Sequence, residues 1–119
     1  MGGGQDTHSY ISASNTTDRT RHPLSQKFHD LLKEMGEIRD RKGEDYGRDN
    51  DPYYNVRRGE GWGVKPWVNA MVRASDKMVR LEQMADRGSL SNEAARDSFL
   101  DLAVYALIGL ILFEEEQEK

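Results

Sequence analysis

Asn92-Glu93-Ala94-Ala95-Arg96-Asp97-Ser98-Phe99-Leu100-Asp101-Leu102-Ala103-Val104-Tyr105 reads as one helix that changes character halfway along. Acids stand at 93, 97 and 101, and then twelve unbroken apolar or small residues follow, Leu102 to Phe113. A four-residue step advances about 400° around a helix, so the three carboxylates form a stripe drifting roughly 40° per step. Neighbouring acids on a stripe repel one another, and burying them is costly unless a cation sits among them. The pattern points to a hard divalent ion, Mg²⁺ or Mn²⁺, held by Glu93, Asp97 and Asp101. Eight residues rise only about 12 Å, so adjacent members can share one ion. A plainer reading stays open: Arg96 or a lysine from another helix neutralises Asp97 and Asp101, and Glu93 simply complements the dipole in its first turn.

Outward from this helix, the pattern is helical throughout. Phe28, Leu31, Leu32, Met35 and Ile38 recur at helical spacing and predict a first helix over about 26–41, with Ser25 as N-cap and Gly43 and Gly47 ending it. Pro66 suits the first position of a second helix, which carries Val68, Met71, Val72, Ser75, Met78, Leu81, Met84 and Ala85 on one side and stops at Gly88. The third helix runs from near Ser91 to about 116, and the acid run Glu114-Glu115-Glu116-Gln117-Glu118 is expected to fray because the helix dipole disfavours negative charge there. No segment alternates strictly, so no strand is expected. The expectation is an all-α bundle of three main helices plus a long Gly-rich connection over 43–65, completed by oligomerisation. Residues 1–22, rich in Gly, Ser, Thr and Asn, read as a disordered or loosely packed arm before a domain over 23–119.

With 119 residues, 21 acids, 17 Lys and Arg and a net charge of −4, the chain lacks the basic excess of a duplex nucleic-acid binder. It contains no cysteine, which excludes disulfides, thiolate metal sites and cysteine nucleophiles. The longest apolar run falls well short of the ~20 residues that span a bilayer, and the first residues do not form a secretory signal. A cytoplasmic protein with no membrane partner is expected.

The second helix places Arg73, Lys77 and Arg80 on one face, with Asp76 beside them. Such a face is commonly just solvated. Set against three carboxylates and a metal, it also suits a polyphosphate, its cations taking the oxygens that the metal leaves free. The connection offers Lys42, Asp45, Tyr46, Asn55 and, at its end, Trp67, aromatic and polar groups that can stack on a base and read its edge. The same rings can instead plug the top of a small bundle. Asp49-Asn50-Asp51 lacks the spacing of a calcium loop, and Gly59, Gly61 and Gly63 form neither a Walker nor a Rossmann fingerprint.

Lys42-x-x-Asp45-Tyr46-Gly47, Asn55, Arg73-Ala74-x-Asp76-Lys77-x-x-Arg80-Leu81 and Asn92-Glu93-x-x-x-Asp97-Ser98-x-x-Asp101-Leu102-Ala103-x-Tyr105 together resemble a small phage-associated, nucleotide-modification-associated domain placed near the MazG-like all-α NTP pyrophosphohydrolases. The resemblance covers about residues 26–113. It implies a Mg²⁺-dependent enzyme that cleaves a (d)NTP to (d)NMP and pyrophosphate, assembles as a homodimer or homotetramer, and shapes a phage nucleotide pool in the host cytoplasm. On that reading Asp76, Glu93, Asp97 and Asp101 are catalytic, with the last three on the metal. Arg73, Lys77 and Arg80 grip phosphates, Asp45, Tyr46, Asn55 and Trp67 handle the nucleoside, and Lys42 is a further substrate-binding residue. MazG-like proteins carry Glu-x-x-Glu on the preceding helix, where this chain has Asp76 and then Val79. That departure motivates the alternative, a non-catalytic nucleotide-binding protein acting as a sponge or regulator.

Overall fold

A computed structural model describes residues 21–119 except 47, 49, 89 and 90, with Tyr46 and Asn92 described for the backbone only. The expected arm over 1–22 therefore lies, apart from its last two residues, outside the described residues, as does Gly47. The protein is all-α, and among the described residues there is no strand. Among the described residues four α-helices follow in order: α1 Pro23–Tyr46, α2 Tyr54–Arg57, α3 Pro66–Arg87 and α4 Asn92–Gln117, with a 3₁₀ turn at Arg58–Trp62 after α2. Two compact units divide the chain, Met1–Gly36 and Glu37–Lys119, and α1 runs through the division.

In the first unit α1 begins at Pro23, not near residue 26, so Ser25 lies inside the helix and does not cap it. The capping acceptor is the ring of His22, whose Nδ1 takes the Leu24 N–H at 3.0 Å. Proline at the first helical position costs nothing, because its missing N–H has no intrahelical partner there. Leu24, Phe28, Leu31 and Leu32 are exposed along this part of α1, and Met35 is buried.

In the second unit α1 continues a turn beyond the expected stop. Gly43 is helical, and its lack of a side chain serves a contact. A Cβ there would meet Arg39 Nη2 at 3.0 Å and Pro52 Cβ at 3.4 Å. Glycine lets the turn carrying Pro52 lie against α1, where the Arg39 guanidinium also donates to the Pro52 carbonyl at 2.8 Å. That turn is closed by reciprocal backbone hydrogen bonds between Arg48 and Asp51, with Asn50 left-handed at φ 63°. Asparagine tolerates this backbone better than most side chains.

The expected turn-rich connection contains two short helical turns. α2 and the 3₁₀ turn satisfy their own backbone groups, which permits Val56 to be 2 % exposed. The Asn69 side-chain amide fastens this segment to α3 by donating to the Val56 carbonyl at 2.7 Å. Gly63, at φ 80°, ends the 3₁₀ turn.

α3 and α4 match their expected bounds because their ends are written locally. Pro66 opens α3, and Gly88, left-handed at φ 63°, closes it by donating to Met84 O. Ser91 Oγ accepts from Ala94 N–H at 3.1 Å to cap α4. Ala70 and Ala74 are buried on α3, and Leu100, Val104, Ile108 and Leu112 form the buried stripe of α4 at four-residue steps. Small residues on one helix and branched ones on the other allow a close approach of the two axes. Ser98, buried among them, donates its hydroxyl to the Ala94 carbonyl and so leaves no polar atom unsatisfied.

Leu107, Leu110, Ile111 and Phe113 of α4 are exposed, as are Met71, Val72, Met78 and Val79 of α3. Among the described residues no helix is long and apolar enough to cross a membrane.

Candidate functional site

Three helices of the second unit each send one charged side chain to a common point. Lys42 of α1 approaches Asp101 Oδ1 at 3.0 Å, and Lys77 of α3 approaches Asp101 Oδ2 at 3.3 Å. Asp101 sits on α4 at the register where the acid stripe meets the apolar run, and its side chain is only 18 % exposed. Each carboxylate oxygen thus has its own ammonium group, and two positive charges face one negative.

The remaining members of the two stripes are arranged differently. Arg73 is half-buried four residues before Lys77, and Arg80 is exposed. Asp76, Glu93 and Asp97 are exposed, and among the described residues none of them has a lysine or arginine within ion-pair distance. The plainer expectation, a lysine from another helix on the stripe, is what Asp101 shows, twice over.

A divalent cation requires several open carboxylate oxygens at one point. Each oxygen of Asp101 lies within ion-pair distance of an ammonium group, and Asp97 and Glu93 are exposed.

A second locus lies at the end of α1. Asp45, Arg48, Tyr54, Asn55 and Arg58 line a pocket of about 200 Å³. It brings together Asp45 and Asn55, two residues expected to handle a nucleoside; the Tyr46 side chain lies outside the described residues. The Arg48 guanidinium stands 5.5 Å from the centre of the Tyr54 ring. Arg48 also lines a wider cleft of about 750 Å³ with Arg39, Glu44, Asp51 and Tyr53. Over that cleft the Arg39 guanidinium lies 5.2 Å from the Tyr53 ring centre, a cation–π contact.

The third cluster was not foreseen. Arg57 of α2 binds Asp51 through Nε and Glu115 through both terminal nitrogens. Glu116 accepts from the Trp67 indole N–H at 3.3 Å and lies 3.7 Å from Lys65 Nζ. The acidic end of α4 is therefore pinned by cations, and the helix continues through Gln117 where fraying was expected. Trp67 packs edge-on against Phe113, ring centres 5.6 Å apart. Twelve residues, about 18 Å of helix, separate Phe113 from Asp101, so Trp67 is a bundle plug outside the lysine cluster.

The sequence matches no family model, no curated protein and no solved structure.

Ionisation follows these contacts. Hydrogen bonding to Arg57 holds the Glu115 carboxyl below its usual range, and burial opposes this only in part. The same bond, with help from Asp51, raises Arg57 further above its already high value. A carboxyl depressed in the folded state stabilises the fold above its unfolded pKa and loses that contribution as pH falls through the folded value. Arg57→Leu is expected to lower stability at pH 7 by about 1 kcal/mol, since Glu115 is partly solvent-screened. The gap from the unaltered chain should narrow as pH drops below about 4. Denaturant melts of both proteins across that range check this; a gap that stays constant with pH contradicts it.

Proposed function

We propose that the chain binds the polyphosphate of a nucleoside triphosphate at Lys42, Lys77 and Arg73, with Asp101 as the counter-ion that holds the two ammonium groups in place. The convergence of Lys42 and Lys77 on Asp101 carries this reading. Two ammonium groups shared by one carboxylate retain a surplus positive charge, and phosphate oxygens accept charge-assisted hydrogen bonds from such groups. The resemblance to the phage-associated, nucleotide-modification-associated domain rests on these same residues and supports a nucleotide as the anion. A nucleotide-pool role implies the cytoplasm.

The second reading is a MazG-like pyrophosphohydrolase that converts a (d)NTP to (d)NMP and pyrophosphate with Mg²⁺ or Mn²⁺. The unpaired carboxylates of Asp76, Glu93 and Asp97 beside the basic cluster favour it, since nothing neutralises them among the described residues. Either form is proposed to assemble as a homodimer or homotetramer, because the exposed Leu107, Leu110 and Ile111 form an apolar face on α4.

Calorimetry with the dNTPs and inorganic tripolyphosphate, with and without EDTA, separates the readings when paired with a pyrophosphate-release assay in Mg²⁺. Binding that persists in EDTA without pyrophosphate release supports the first. Pyrophosphate release that EDTA abolishes supports the second. No binding and no turnover with any nucleotide overturns both.

A further inference from the structure

We propose that the pocket lined by Asp45, Arg48, Tyr54, Asn55 and Arg58 selects guanine, an inference that rests on the nucleotide reading above. The side chains of Asp45, Asn55 and Arg58 hold no hydrogen bond or ion pair among the described residues, so their donors and acceptors are unspent. A volume of about 200 Å³ equals about seven waters at ~30 Å³ each, room for one base-sized ring system.

The donor set decides which base fits. A carboxylate offers two adjacent acceptors and no donor. Guanine alone among the common bases presents two adjacent donors on one edge, N1–H and the N2 amino group. Adenine and cytosine each offer one amino group beside a ring-nitrogen lone pair, which would face the second Asp45 oxygen and repel it. Thymine and uracil offer a single N–H between two carbonyls, with the same conflict. Arg48 and Arg58, which line the same pocket, provide guanidinium donors that suit guanine O6 and N7. The Asn55 amide can donate to O6, and Tyr54, already flanked by Arg48, supplies an apolar wall.

The position along α1 agrees. Lys42 and Asp45 are three residues apart, neighbours on one helix face with a rise of about 4.5 Å. The phosphate cluster and the base pocket are therefore about one helical turn apart along α1, and the base pocket shares Arg48 with the 750 Å³ cleft.

Titration calorimetry on the full chain with dGTP, dITP, dATP, dCTP, dTTP and inorganic tripolyphosphate tests the assignment. The expected result is dGTP tighter than dATP by about ten- to a hundredfold, the worth of one good bidentate pair. Inosine lacks the N2 amino group, so dITP should fall between them. Asp45→Asn should bring the dGTP to dATP ratio near unity. Tripolyphosphate binding with no preference among the bases would overturn the guanine assignment while the phosphate cluster stands. A guanine preference that Asp45→Asn leaves intact would overturn it too. Failure of every probe, tripolyphosphate included, removes both readings together.

Discussion

Ile108→Ala is expected to lower the unfolding free energy by about 2–5 kcal/mol, as befits one of the most buried large side chains among the described residues. Ile108 is 2 % exposed and stands mid-way along the buried stripe of α4, between Val104 and Leu112. The neighbouring positions on α3 are occupied by alanines, which have no rotamers with which to fill the void. A cavity flanked by Ala70 and Ala74 therefore collapses less than one flanked by leucines. Leu110, two residues away, is 51 % exposed, and Leu110→Ala should change the stability of the monomer by no more than about 0.5 kcal/mol. Urea melts at several protein concentrations check both. A midpoint shift for Leu110→Ala that grows with protein concentration would show that α4 meets another copy through this face, since assembly links stability to concentration. A small effect of Ile108→Ala would mean that α4 is packed otherwise than described.

The second large effect concerns the lysine pair. Lys42→Met and Lys77→Met are each expected to weaken binding of inorganic tripolyphosphate by roughly tenfold, the worth of one charge-assisted hydrogen bond near 1.5 kcal/mol. Methionine keeps the length and apolar stem of lysine, so the change is chiefly one of charge. The two losses should not add, because both ammonium groups are held by the same carboxylate. Asp101→Asn should act in the opposite direction on affinity. It removes the carboxylate that competes with phosphate for the lysines, so tripolyphosphate should bind more tightly by several fold. It should also destabilise the unliganded fold by about 1 kcal/mol, because two ammonium groups then face each other without a counter-ion. Should Asp101→Asn weaken tripolyphosphate binding as much as the lysine variants do, Asp101 would have a direct part in holding the ligand. In the pyrophosphohydrolase reading the same variant loses turnover instead.

What could be read from the residues follows the range of the interactions. α3 and α4 were legible to within a residue or two because Pro66, Gly88 and Ser91 act on their own backbone neighbours. Gly43 misled for the same reason: taken locally it reads as a helix stop, whereas its role is to admit Pro52, nine positions on, against α1. The turns at Tyr54–Trp62 were hidden because their glycines and aromatics match a loop by composition, and only the burial of Val56 makes helical geometry necessary. At the candidate site, helical spacing separated Asp101 from its neighbours as the acid nearest the core. Its partner Lys42 stands 59 positions away, and no local pattern expresses that contact. Arg57 and Glu115 are likewise 58 positions apart. The one available hint was the acid run at a helix C-terminus, a placement that asks for cations from elsewhere.

The Arg57 contacts have a mechanical consequence. Asp51 closes the turn that begins at Arg48, Arg57 grips Asp51, and Glu115 in the final turns of α4 grips Arg57. The tail of the last helix thereby acts as a guy-rope on the rim of a pocket to which it contributes no lining residue. Trimming the chain just before Glu115 would slacken that rim and loosen a bound base, with every pocket side chain still in place.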